Sequence, residues 1–251
     1  MGAYVQLIKE VSGIGRVQFY HPASNSFPSS QLQELEKILY EAGQDEGIKV
    51  ILLESEGRTF CAGASFDELL SLKDHKQAVN FFMGFAHVIN AMRKNPKIIV
   101  TKVQGKAVGG GVGLIAASDY AIAHESAAVK LSELSIGIGP FVIAPAVKRK
   151  IGISAFSQMS INATKWHNAY WAKEKGLYAD VWDTKEQFDK ETEYLLEKLT
   201  TYDPIALQKL KEEIWEGTSH WDELLAKKAE ISASLILQEF AQNKIKSLKK
   251  K

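Results

Sequence analysis

"GKAVGGGVGLIAASD", residues 105–119, places three consecutive glycines, Gly109 to Gly111, between an apolar run and a segment that reads as a helix. Glycine loses more conformational freedom on folding than any other residue, so a run of three needs a reason. Upstream, "KIIVTKVQGKAVGG" reads as a strand running into this loop, and "GVGLIAASD" begins the helix. A second glycine-rich loop, "EGRTFCAGAS", follows the short apolar run "KVILLES" and opens a helix from about Phe66. Both loops therefore stand at the carboxyl end of a strand just before a helix, where open α/β sheets bind ligands. Helix starts at such places offer unpaired N–H groups and partial positive charge. Two loops of this kind are able to set two N–H donors on one oxygen and stabilise an oxyanion or enolate. Removing one such donor typically costs about 3 kcal/mol of barrier. Tight helix-on-sheet packing is the plainer reading of the same glycines. Phosphate cradles fit less well, since neither GxxxxGK[ST] nor a G-x-G-x-x-G at the first βα turn occurs.

Outward from these loops, strand and helix alternate. "YVQLIKEV" and "IGRVQFYH" flank Ser12-Gly13 and predict an opening hairpin. Leu32, Leu35, Ile38 and Leu39 have helical spacing, with Ser29 or Ser30 as cap and Gly47 near the stop. A long helix spans roughly 76–93 and stops before Asn95-Pro96. "YAIAHE" and "AVKLSE" read as short strands. This alternation predicts a parallel sheet with helices against it through about residue 150. After Ile151 every segment, "KWHNAYWAKEKG" included, reads as helical.

With 251 residues, 45% hydrophobic and 24% charged, the chain has enough apolar material for one large core. A net charge of +1 gives no reason to expect nucleic acid or an anionic membrane as partner. The basic end, "NKIKSLKK", reads as a solvated tail. One cysteine, Cys61, excludes an internal disulfide framework and fits a small buried filler better than a nucleophile. The N-terminus lacks a signal-peptide layout, Gln6 breaks the myristoylation pattern, and no apolar run reaches membrane-spanning length; the expectation is a cytoplasmic protein. His21, His75, His87, His124, His167 and His220 lack metal-ligand spacing, so no metal is expected. The five tryptophans, Trp166 to Trp221, fall in the helical third, where packing or a subunit interface is their expected use.

"TFCAGASFDEL" and "VQGKAVGGGVGLIAASDYAIAHESAAVKLSELSIGIGP", together with the helical last third, resemble the crotonase superfamily of enoyl-CoA hydratases and isomerases over nearly the whole chain. The resemblance implies an α/β fold: a spiral core of repeated ββα units over residues 1–190, and C-terminal helices over 191–251 used in assembling a homotrimer or a dimer of trimers. It implies that the N–H groups of Ala64 and Gly110 hold the thioester oxygen of an acyl-CoA, with coenzyme A as part of the substrate and no separate cofactor. It further implies that Ala23, Ser24 and the loop at Ala62 cradle the adenine and pantetheine. The family often has Asp and a following Lys after "AGA"; Ser65 and Asp67 stand there instead, so the lysine for the phosphates is expected elsewhere, at Lys244 or Lys246 of a neighbouring subunit.

Two glutamates face the substrate in the hydratase pattern, because adding water needs both an activated nucleophile and a proton donor. The first matches Gly113, which has nothing to titrate; the second matches Glu133 in "KLSELSIG". A single carboxylate suffices to move a double bond, and isomerases of the superfamily are similar in retaining only this one. Phe141 in "GIGPF" falls where such isomerases carry bulky apolar residues, and a phenyl ring there would exclude water. Asp67 or Glu68 is the alternative source of a second carboxylate, ahead of Asp119 and Glu125. The expected activity is therefore a Δ3–Δ2 enoyl-CoA isomerase. Alternatives are an enoyl-CoA hydratase (including one of methylglutaconyl-CoA type), an acyl-CoA decarboxylase of the same superfamily, or a non-catalytic acyl-CoA-binding protein. A serine-hydrolase reading fails for want of a nucleophilic serine with a placed histidine.

Overall fold

In the computed structural model, which describes residues 2–249, the opening hairpin is β1 (Tyr4–Lys9) against β2 (Ile14–Tyr20), paired Tyr4 to Tyr20 through Lys9 to Gly15. From β2 the sheet grows by parallel strands: β4 (Val50–Ser55), β7 (Ile98–Val103), β9 (Tyr120–His124) and finally β12 (Asp180–Trp182). Val50–Leu53 are buried, as a continuous apolar run in a sheet covered on both faces requires. A second, four-stranded sheet takes the short partner of each long strand: β5 (Thr59–Cys61), β8 (Lys106–Val108) and β10 (Ala128–Lys130), closed by the antiparallel β11 (His167–Asn168). A two-stranded pair, β3 (Ser26–Phe27) and β6 (Gly63–Ala64), completes the set.

From β4 onward three successive turns of the chain each lay one strand in the large sheet, one in the small sheet, and then helix. The helices are α1 (Ser29–Gln44), α2 (Phe66–Ser71) with α3 (His75–Lys94), α4 (Gly110–Ala117), and α5 (Ala144–Ile161), which is broken at Gly152. This is the ββα spiral. Leu32, Leu35, Ile38 and Leu39 form the buried stripe of α1, as their spacing predicts. Beyond α6 (Ala169–Glu174) the chain continues through α7 (Lys185–Thr201), α8 (Pro204–Ile214), α9 (Trp221–Ile236) and α10 (Glu239–Lys249).

Three local expectations change. Neither Ser29 nor Ser30 caps α1: the N-cap is Pro28, and Ser29 donates its N–H (2.7 Å) and its hydroxyl to the Glu68 carboxylate of α2. A carboxylate brought from another element does the capping, which suits the positive end of a helix. The section after Ile151 is not wholly helical, because the edge strands β11 and β12 return to the two sheets. "KWHNAY" contributes His167–Asn168 to β11 before helix begins at Ala169. The basic end is not a free tail: Ala241 and Ile245 are buried on α10 while Lys244 and Lys246 face out, and residues 250 and 251 lie outside the described part.

A buried polar anchor fixes the far end of α4. Asp119 accepts from the Ile99 N–H (2.7 Å) and from Trp215 Nε1 (2.7 Å), and pairs with Lys211 at 2.8 Å. Lys150 donates to the carbonyls of Ser118 and Asp119 at 3.0 and 3.1 Å, a cation at the negative end of the helix. Asp119 is therefore structural. Among the described residues no helix is long and apolar enough to cross a membrane.

Candidate active site

The glycine run has a separate neighbour for each residue. Gly109 has a φ of +51°, which a side chain would strain, and a Cβ there would stand 2.7 Å from Glu133 Oε1. At Gly110 a Cβ would meet the Phe85 ring, 2.9 Å from Cδ1, and at Gly111 it would stand 2.7 Å from the Cys61 Cβ. Packing and chemistry both account for the run: Gly111 lets α4 seat on β5, and Gly109 lets a carboxylate come up against the main chain. Cys61 is the buried filler, accepting from the Gly63 N–H at 3.3 Å, with burial pushing its thiol up to about 12.

The two glycine loops meet. A Cβ on Gly63 would stand 2.8 Å from the Val108 carbonyl oxygen and 3.6 Å from the Gly110 nitrogen. Gly110 is the first residue of α4, where an N–H has no acceptor within the helix. Ala64 pairs with Phe27 in the β3–β6 ladder, and it is the next residue, Ser65, whose N–H donates to the Phe27 carbonyl at 3.0 Å. In a parallel ladder the residue directly opposite turns its own N–H away from that partner. Ala64, Gly110 and Glu133 line one cleft.

Glu133 begins a 3₁₀ turn (Glu133–Ile136) after β10. The residue as a whole is half-buried, but Oε2 is fully enclosed and has no hydrogen-bond partner among the described residues. Burial lifts the carboxyl from 4.5 to about 7, opposed only by a hydrogen bond from its own backbone N–H. Among the described residues lining the cleft, Glu133 is the one titratable side chain. Beside Ser132 and Ser232 the wall is mostly apolar: Phe66 and Leu69 of α2, Phe82 and Phe85 of α3, and Phe141 and Ile143 before α5. The Phe141 ring lies against Gly139.

Gly113 faces Ile143 and not open space: a Cβ at 113 would stand 2.8 Å from the Ile143 Cβ. The space beside Gly113, the position that matches the first glutamate of the hydratase pattern, is filled by an aliphatic side chain. Asp67 and Glu68 do not replace it. Neither lines the cleft; Glu68 is held at the start of α1, and Asp67 is exposed on α2, where its charge acts on His21.

The other anticipated binding residues divide. Ala62 lines the cleft, and its N–H donates to the Ser24 carbonyl at 3.0 Å, tying the turn at Ala23 and Ser24 to the first glycine loop. Ser24 and Asn25 have φ of 54° and 57°; Asn25 holds that shape by donating to the carbonyls of Glu56 and Thr59, both at 2.7 Å. Lys244 lies outside the cleft, exposed on α10. His87, too, is exposed, beside Glu36 at 3.6 Å. Sequence reasoning passed over Phe85, Ile143 and Ser232 of α9. Phe85 had a signal, standing three residues after Phe82 on one helix face. Ser232 had none, since only tertiary packing of α9 on α3 brings it to the cleft.

The profile of the enoyl-CoA hydratase/isomerase family matches residues 9–250. The bacillaene synthase dehydratase PksH of Bacillus subtilis is 28% identical over 184 residues, 72% of this chain and 68% of that protein. The ethylmalonyl-CoA decarboxylase of Gallus gallus is 25% identical over 140 residues, 55% of this chain and 47% of that protein. The chain spans about half the length of several curated relatives that it matches. In fold it is similar to an enoyl-CoA hydratase from Bacillus halodurans, with a TM-score of 0.90 at 19% identity over 97% of this chain and 99% of that one. An enoyl-CoA hydratase from Mycobacterium avium gives 0.86 at 23% identity, over 100% and 97%. The chain belongs to the enoyl-CoA hydratase/isomerase family of the crotonase superfamily.

Proposed function

We propose that the protein is a Δ3–Δ2 enoyl-CoA isomerase in which Glu133 alone carries the proton. The observation that supports this most is the pairing of Gly113 with Ile143, which leaves Glu133 as the one titratable group on the cleft wall among the described residues. The thioester oxygen of a 3-enoyl-CoA would accept from the N–H groups of Ala64 and Gly110. Charged Glu133 takes a proton from carbon 2, and the electron pair of that C–H bond moves into a dienolate spread over the carbonyl oxygen and carbons 2 to 4. The same carboxyl returns the proton to carbon 4, leaving the double bond between carbons 2 and 3. Nothing is added or lost. Each N–H donor on the growing oxyanion contributes about 3–4 kcal/mol. A carboxyl near 7 suits both halves of the shuttle, since it gives up and takes back a proton at similar ease. Hydration in the two-glutamate manner would need a second carboxylate, and Ile143 takes the room beside Gly113.

The test is incubation of the purified protein with 3-hexenoyl-CoA and with crotonyl-CoA. Conversion of the first to 2-hexenoyl-CoA, with little hydration of the second, supports the proposal. Hydration of crotonyl-CoA far exceeding isomerisation overturns it. Ethylmalonyl-CoA belongs in the same panel because of the similarity to the Gallus gallus decarboxylase, and its faster turnover would likewise displace the isomerase reading.

A further inference from the structure

We infer that the cleft favours short acyl chains and that Phe82 is the residue that sets the limit. The inference rests on the acyl-CoA reading above, though not on which reaction follows. The cleft holds about 60 Å³ of space. One water needs roughly 10–15 Å³ of such space, so there is room for only a few water-sized groups. Phe85 rests on Gly110, beside the carbonyl-binding end. Phe82 lines the same cleft three residues earlier on α3, about 4.5 Å further along the helix axis. It therefore meets the chain beyond the reacting carbons.

This wall is braced and has little freedom to retreat. Phe82 and Phe81 form an edge-to-face pair with centroids 5.4 Å apart, and Phe81 makes a second such pair with Phe85 at 6.1 Å. Phe82 is 6% exposed. Behind it α9 packs along α3, with Ala229, Ser232, Ala233 and Ile236 buried and Ser232 reaching the cleft. A longer chain would have to part α3 from α9.

The experiment is calorimetric binding of the unreactive saturated thioesters butyryl-, hexanoyl-, octanoyl- and decanoyl-CoA, beside isomerisation of 3-hexenoyl- and 3-decenoyl-CoA. For the wild type, decanoyl-CoA is expected to bind at least tenfold more weakly than hexanoyl-CoA. Phe82→Ala, or the milder Phe82→Leu if the first fails to fold, is expected to remove that gap. Ser232→Phe is expected to push the limit the other way, losing hexanoyl-CoA before butyryl-CoA. Equal or rising affinity from four to ten carbons in the wild type overturns the inference, as does a gap untouched by a folded Phe82 variant. Length discrimination without any isomerisation would uphold the inference and defeat only the isomerase reading.

Discussion

Ile143 lies directly over Gly113, so that a Cβ added to the glycine would stand 2.8 Å from the isoleucine Cβ and closer still to its Cγ2. Gly113→Ala is expected to lose about 1–3 kcal/mol of stability through overpacking, read by urea unfolding. Ile143→Ala on its own leaves a cavity and is destabilising too. Made together, the two changes are expected to cost less than their sum by about 1 kcal/mol or more, because each relieves the other. Strict additivity in the double-mutant cycle would mean that the two side chains do not compete for one space.

The raised carboxyl of Glu133 predicts a pH profile. Only the charged form accepts a proton from carbon 2, so kcat/KM for a 3-enoyl-CoA should climb tenfold per pH unit at low pH and level off above about 7. Glu133→Gln should lower kcat by roughly 10²–10⁴, the usual worth of a general base, while binding of a saturated acyl-CoA changes little. A profile flat from pH 5 to 8 would remove Glu133 from the role.

The same burial has a consequence for stability. The folded protein holds the Glu133 proton up to about pH 7, whereas the unfolded chain releases it near 4.5. Between those values the folded state binds more protons, so stability falls as pH rises through this window. Glu133→Gln escapes the penalty. Its melting temperature relative to wild type should improve from pH 4.5 to 8, with an upper bound of about 3 kcal/mol. Differential scanning calorimetry at the two pH values checks this, and an unchanged difference would contradict the enclosed carboxyl.

Lys211 and Asp119 are 3% and 2% exposed, and burial pulls the lysine down against the opposing pull of Asp119. Lys211→Met should cost about 3–5 kcal/mol by stranding the aspartate, and Asp119→Asn a comparable amount. Combining Lys211→Met with Asp119→Asn should be milder than the sum. Chemical denaturation of the three variants decides it. A loss below about 1 kcal/mol for either single change would show that water reaches the pair.

Much of this architecture was legible in residue order alone. Period-two and period-3.6 patterns located the opening hairpin, α1 and α3, because each buries one face against a sheet or helix. The glycine loops announced a site because close approach of main chain to a carboxylate tolerates no side chain, as Gly109 against Glu133 shows. Two-residue strands such as His167–Asn168 were not legible: they carry no period, and the sheet edge they join lies far off in sequence. Nor was the role of Glu68, whose carboxylate caps a helix 39 residues upstream. The Ile143 plug stayed hidden because an isoleucine among apolar neighbours looks the same whether it fills a core or displaces an acid.

The lean of α9 along α3 separates two tasks within one polypeptide. On the proposed reading the loops that would grip the carbonyl come from the first half, while part of the surface that would measure the tail comes from a helix near the end of the chain. Replacements at Ser232 and its neighbours on α9 are thus a route by which diet can drift while the reaction stays put.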